Sequence, residues 1–160
     1  MESIEQLIPH RPPFLFVDEI VAVGVDTITT RRRVRPDEDF FRGHYPGNPI
    51  MPGVLICEAV FQSGCAMVSR QMAANQEDLA RYTPVLARVS DVRFKSIVKP
   101  GDELIIEVKL KERMGHFLFL SGSVQTADRR KVLSVTFGVA LLDKEAPPSA
   151  AGADPAQPAS

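Results

Sequence analysis

Residues 54–72 read VLICEAVFQSGCAMVSRQM, a stretch without proline in which Val54 to Ser69 are apolar or small on nearly every helical face. A helix at a protein surface carries one apolar stripe, whereas a helix apolar all round is buried on every side. This segment is therefore the central core element, and the remainder of the chain has to wrap it. Immediately upstream, residues 35–53 are broken by Pro36, Gly43, Pro46, Gly47, Pro49, Pro52 and Gly53, which predicts a long ordered loop rather than a regular element. Loops of that length usually carry function.

Downstream the text turns β in character. Val85–Val98 reads as a strand and Lys99–Asp102 as a turn. Leu104, Ile106, Val108 and Leu110 then alternate with mostly polar residues, Phe117–Thr126 forms another strand, and Leu133, Val135, Phe137, Val139 and Leu141 repeat with period two. At the other end, Ser3 with Gln6 three residues on predicts a short capped helix near Ser3–Ile8. Phe14–Val23 and Thr27–Val34 flank a Gly24–Asp26 turn as a hairpin. Arg31 and Arg33 face one way on that strand and Arg32 the other. The triplet reads as a solvated strand edge, with a docking patch as the alternative. The order of one short helix, a hairpin, a loop, a buried helix and three or more antiparallel strands predicts an α+β fold, one sheet wrapped on a helix.

The chain has 160 residues, 44% hydrophobic and 24% charged, which is one ordinary domain. Four of the 13 prolines fall in the last 14 residues, where no bulky apolar side chain occurs, so residues 1–144 are expected to fold and 145–160 to form a disordered Pro- and Ala-rich tail. Net charge of −1 argues against a general nucleic-acid binder. No run approaches the roughly 18 apolar residues that span a bilayer. On one helix Cys57 and Cys65 stand about 12 Å apart, too far to bridge, so a soluble, cytoplasmic, reducing setting is expected.

Glu58 is the only ionisable residue between Val54 and Ser69. Burying a lone carboxylate is expensive, so it either finds a partner, Gln62 one turn on being the nearest, or holds its proton unusually tightly. His44 lies in Gly43-His44-Tyr45-Pro46-Gly47, where glycines and a proline can aim an imidazole, in the loop that leads into the Glu58 helix. Together they suggest an acid and base pair. Pro52-Gly53 opens the helix, so the free N–H groups of Gly53 and Val54 and the positive dipole end suit a substrate oxyanion. His10 reads as structural and His116 as a surface or turn residue. Asp18 is expected to pair with Arg11 or Arg88. Three dispersed histidines without a Cys or carboxylate cluster at ligand spacing argue against a metal site. No nucleophilic serine motif, phosphate loop or dinucleotide fingerprint is present.

The motifs HRPPFLFVD (10–18), FRGHYPGNPIMPGVLICEA (41–59) and RFK (93–95), followed by Pro100-Gly101-Asp102, resemble those of the (3R)-hydroxyacyl-acyl carrier protein dehydratases of the FabZ type, from about His10 to Asp143. That resemblance implies a hot-dog fold, a curved antiparallel sheet around one long helix. It further implies a homodimer joined through its sheets, often assembled as a trimer of dimers, in which His44 of one protomer faces Glu58 of the other. By the same resemblance the substrate is a thioester on acyl carrier protein or coenzyme A. His44 is the base at C2, Glu58 protonates or positions the departing hydroxyl, the Gly53 N–H donates to the thioester carbonyl, and no cofactor or metal is needed. The acyl chain runs in an apolar tunnel beside the helix, and an acidic carrier calls for basic residues such as Arg93, Lys95 or Lys99 at its mouth. Pro12, Tyr45, Phe61, Leu118, Leu120, Ser134, Thr136 and Gly138 depart from the family pattern, and bulky Phe61 is expected to shorten or redirect the tunnel. A hot-dog thioesterase and a non-catalytic acyl-binding subunit are the alternative functions.

Overall fold

The apolar stretch forms a helix in a computed structural model that describes residues 2–78 and 80–145. This helix, α2, spans Gly53–Ala74, slightly beyond the expected ends, and fully buries Ala59, Val60, Ala66 and Val68. It is preceded by α1 (Ile4–Leu7), β1 (Glu19–Val23) and β2 (Thr27–Arg33), and followed by β3 (Tyr82–Phe94), β4 (Glu103–Met114), β5 (Phe117–Thr126) and β6 (Lys131–Asp143). The strands form a single antiparallel sheet in the order β1-β2-β4-β5-β6-β3. The predicted α+β hot-dog architecture is the observed one. The tail expected at 145–160 lies, apart from Glu145, outside the described residues.

Alternation decides which face meets the helix. Ile28 and Thr30 of β2, Leu104, Ile106 and Val108 of β4, and Leu118, Leu120 and Val124 of β5 are buried, with exposed or half-exposed residues between them. Gly122 lies in register with Val108 and Val135, and a β-carbon built there would stand 2.2 Å from Cγ1 of Val60. Gly64 of α2 meets Phe137 in the same way, at 2.8 Å. Helix and sheet therefore approach through missing side chains. A buried hydroxyl pair, Thr30 Oγ1 and Ser63 Oγ at 2.7 Å, marks the same seam.

Five expectations need correction. The first strand begins at Glu19, not Phe14, because the backbone groups of Phe14 and Phe16 are bonded to the side chain of Gln62 rather than to a neighbouring strand. The loop of 35–53 contains a 3₁₀ turn, Asp39–Arg42, in a run free of Gly and Pro that buries Phe41. The arginine triplet is no solvated edge: Arg32 is 3% exposed and is closed by Asp18 at 2.9 Å and by Glu38, with the Phe16 ring 5.8 Å from its guanidinium. Asp18 thus pairs with Arg32 and with the Arg33 N–H, not with Arg11, whose guanidinium is bonded to carbonyls of Glu5, Ile8 and His10. Finally, α2 is not buried all round. Val54 is 72% exposed, and Leu55, Glu58, Phe61 and Cys65 are only half-buried, a stripe that the described chain covers in part.

Both cysteines are free, and no helix among the described residues is long and apolar enough to cross a membrane.

The segment just past α2 is tied to β4 by a bidentate pair, in which Nη1 and Nη2 of Arg113 donate to Glu77 at 2.7 Å. Those hydrogen bonds hold the Glu77 carboxyl below its ordinary range. A lowered acid contributes stability above its unfolded value and loses it as pH falls through its folded value. Arg113→Met is therefore expected to cost about 1 kcal/mol at neutral pH. In denaturant titrations the gap between variant and wild type should close as the pH drops below the normal carboxylate range.

Candidate active site

The loop ahead of α2 is closed on itself. His44 accepts the Ile50 N–H on its carbonyl at 3.2 Å, donates its own N–H to Phe40 at 2.9 Å, and packs its ring on Tyr45 with centroids 4.1 Å apart. Gly47, at φ +79°, occupies the left-handed region that the turn between Tyr45 and Asn48 requires. The ring nitrogen Nδ1 lies 2.7 Å from the Ile50 carbonyl. A carbonyl can only accept, so neutral His44 carries its proton on Nδ1 and leaves Nε2 as a free lone pair.

From Ile50 the chain enters α2, with the Met51 N–H bonded to Val98. Gly53 and Val54 open the helix, where first-turn N–H groups have no intrahelical acceptor. The Phe94 ring, 56% exposed, lies against Gly53, and a β-carbon at that position would stand 2.7 Å from Cε1. Glycine thus lets an aromatic close over the helix N-terminus.

Glu58 follows one turn on, half-buried rather than stranded, and its Oε1 accepts a hydrogen bond from Gln62 Nε2 at 3.0 Å. Gln62 itself is fixed by the backbone: its Oε1 accepts the Phe16 N–H at 2.8 Å and its Nε2 donates to the Phe14 carbonyl at 3.1 Å. These two contacts set the orientation of the amide, because a flipped one would face donor to donor. Gln62 therefore presents an N–H, never an oxygen, to Glu58. His10 Nε2 approaches the same Oε1 at 3.8 Å. Cys65, two turns past Glu58, has its thiol pushed up to about 11 by burial and by the charge of Glu58, which keeps it protonated and poorly nucleophilic.

The structure thus brings Glu58, Gln62 and His10 together, with Gln62 in the partner role that the sequence allowed. Among the described residues no hydrogen bond or ion pair joins His44 to Glu58 within the chain. His10, which reads as structural from its place before two prolines, is the residue whose proximity to the carboxylate sequence spacing could not reveal. His116 sits at the turn after Gly115, its ring 5.1 Å from Tyr82, as expected of a turn residue. No group of three or more His, Cys, Asp or Glu among the described residues could hold a metal ion.

A family model described as a FabA-like domain matches residues 8–136. The chain belongs to the FabA-like family. Among curated proteins it is similar to a 3-hydroxyacyl-[acyl-carrier-protein] dehydratase FabZ of Caldicellulosiruptor bescii, 42% identical over 91% of this chain and 94% of that one. A protein of the same name from Anaeromyxobacter sp. strain Fw109-5 is 37% identical over 91% of each. Among solved structures, the dehydratase heterocomplex ApeI:P from Xenorhabdus doucetiae shares the fold, with TM-score 0.74 at 15% identity over 90% of this chain and 93% of that chain. In this FabA-like chain His44, Gly53 and Glu58 all lie within the matched residues.

If the Gln62 amide has the role described, Gln62→Leu orphans the buried Phe16 N–H and the Phe14 carbonyl. The loss is expected to be about 2–5 kcal/mol. Urea unfolding should show a lower midpoint with an unchanged slope.

Proposed function

We propose that this chain dehydrates (3R)-3-hydroxyacyl thioesters, carried on acyl carrier protein, to trans-2-enoyl thioesters, with His44 as base, Glu58 as acid and no cofactor. The observation that carries the reading is the complementary state of the two side chains. His44 is held through Nδ1 with Nε2 free to accept a proton, and Glu58 is held through Oε1 with Oε2 free to give one. The dehydratase names of relatives 37% and 42% identical to the chain support it.

The steps balance without an outside reagent. His44 Nε2 removes the C2 proton, the C–H electron pair forms the C2=C3 bond, and the C3–O bond breaks. The Glu58 Oε2 proton joins the departing hydroxyl to give water. Charge that develops on the thioester oxygen is met by the Gly53 N–H at the positive end of α2. Such donors contribute roughly 3–4 kcal/mol elsewhere. The cycle closes when the proton on His44 returns to solvent and Glu58 regains one.

The active unit in this reading is a homodimer in which His44 of one protomer meets Glu58 of the other. Two features support it. The stripe of Val54, Glu58, Phe61 and Cys65 on α2 stays partly open, and β3, a sheet edge of 13 residues, exposes Leu86, Val89 and Phe94. The acyl chain then runs along the same stripe, past Phe61, whose ring packs on Phe137 at 5.0 Å. Exposed Arg93, Lys95 and Lys99 supply the basic rim for an acidic carrier, Arg93 and Lys95 being joined by Lys109 and Lys111 on the outer sheet face.

The test is hydration of trans-2-enoyl thioesters over a series of chain lengths, on carrier and coenzyme A, followed by loss of enoyl absorbance. Wild-type turnover without added cofactor and without free thiol is expected. His44→Ala and Glu58→Gln should each lower kcat/KM about 10²- to 10⁴-fold with an unchanged circular dichroism spectrum. Thiol release in place of hydration turns the assignment into a thioesterase, and full activity of either variant removes that residue from the chemistry.

A further inference from the structure

His10 lies outside the chemistry above, yet it is not placed as a filler. Its ring stacks on Phe14 with centroids 6.3 Å apart and planes at 27°, and Phe14 meets Phe16 edge-on at 5.1 Å. The backbone of Phe14 and Phe16 is bonded to Gln62. The amide that orients Glu58 therefore also fixes the segment against which the His10 ring rests. Arg11, next in sequence, is turned away and bonded to carbonyls, so the Glu58 carboxyl is the ionisable group facing the imidazole.

The two ring nitrogens have different surroundings. Nδ1 is buried without a hydrogen-bond partner, whereas Nε2 stands 3.8 Å from Glu58 Oε1. A proton on Nδ1 would be a buried N–H without an acceptor, which is worse than an unfilled lone pair. The neutral ring accordingly carries its proton on Nε2, toward the carboxyl. With Gln62 Nε2 already donating to Oε1, two donors converge on one oxygen of Glu58.

We propose that His10 is a positioning residue for Glu58: it and Gln62 hold Oε1 from two sides, so that the acid proton resides on Oε2 and points to the departing hydroxyl. The separation of 3.8 Å exceeds hydrogen-bond length and closes when substrate fills the site, as catalytic contacts commonly do. This inference rests on the dehydratase reading and adds to it a residue that touches neither substrate nor reacting atoms.

Three variants separate positioning from packing. His10→Phe keeps an aromatic on Phe14 but has no donor. His10→Gln places an amide N–H where Nε2 stood, and His10→Asn places one where Nδ1 stood. In the enoyl hydration assay His10→Phe and His10→Asn are expected to lose about tenfold to a hundredfold in kcat, with KM within about twofold and melting temperature unchanged. His10→Gln should recover to within about threefold of wild type. Wild-type kcat in His10→Phe, or a His10→Gln as impaired as His10→Phe, overturns the proposal while leaving the dehydratase reading intact. Should His10→Phe lower both kcat and melting temperature, the His10→Gln rescue of kcat decides. Absence of turnover in the wild type overturns the dehydratase reading itself, and this inference with it.

Discussion

The Gln62 amide is the contact on which the site depends. It lies on the third turn of α2, almost inaccessible to solvent, and satisfies two backbone groups of an incoming extended segment that make no ladder bonds there. An amide in an apolar interior is costly unless every polar atom is matched, and matching it dictates which of its ends faces which neighbour. One side chain thereby removes Phe14–Phe16 from the sheet, lays the Phe14 and Phe16 rings beside α2, and turns a donor toward Glu58. A carboxyl on a core helix becomes a directed group because its neighbour has no freedom to flip.

Arg32 solves the opposite problem. A guanidinium that points into the core from β2 is matched by Asp18 and Glu38, each brought from a different segment. A buried pair of this kind adds little net stability but makes removal of one partner expensive. Its effect is on geometry. Asp18 also takes the Arg33 N–H at 2.6 Å, so the segment that descends from Phe14 is anchored to β2 just before β1 begins. The stretch between the histidine and the hairpin is thus pinned at both ends, by Gln62 and by the Asp18–Arg32 pair.

Much of this was legible in the sequence because it follows from local pattern. Period-two alternation located β4 and β6, the proline-free apolar run located α2, and Glu58 was conspicuous as a carboxylate without polar company. What the sequence withheld depends on distant partners. Nothing in the periodicity of 14–23 says that its first residues bond to a glutamine on the later helix, and nothing in three successive arginines says that the middle one meets two carboxylates in the interior. The helix looked buried on all sides because sequence hydrophobicity reports the fate of a surface without saying which molecule covers it. Hence Val54 and Phe61 read as core while the described chain leaves them at least partly open. His10 reads as structural beside its prolines, because Glu58 approaches it only through the tertiary fold.

The close meeting of Gly122 with Val60, and of Gly64 with Phe137, has a consequence for how such a chain can vary. Each pair shares one fixed volume across the helix–sheet seam, and interiors accept changes that conserve volume far better than those that add to it. A methyl gained at 122 is accommodated only if one is surrendered at 60, and a methyl gained at 64 only if the ring at 137 gives way to a smaller side chain. The substitutions are therefore strongly non-additive: harmful singly, nearly silent together. Related sequences that diverge at these positions are expected to have moved in matched steps, so that the spacing between helix and sheet, and with it the height of Glu58 above the β-strands, is inherited unchanged.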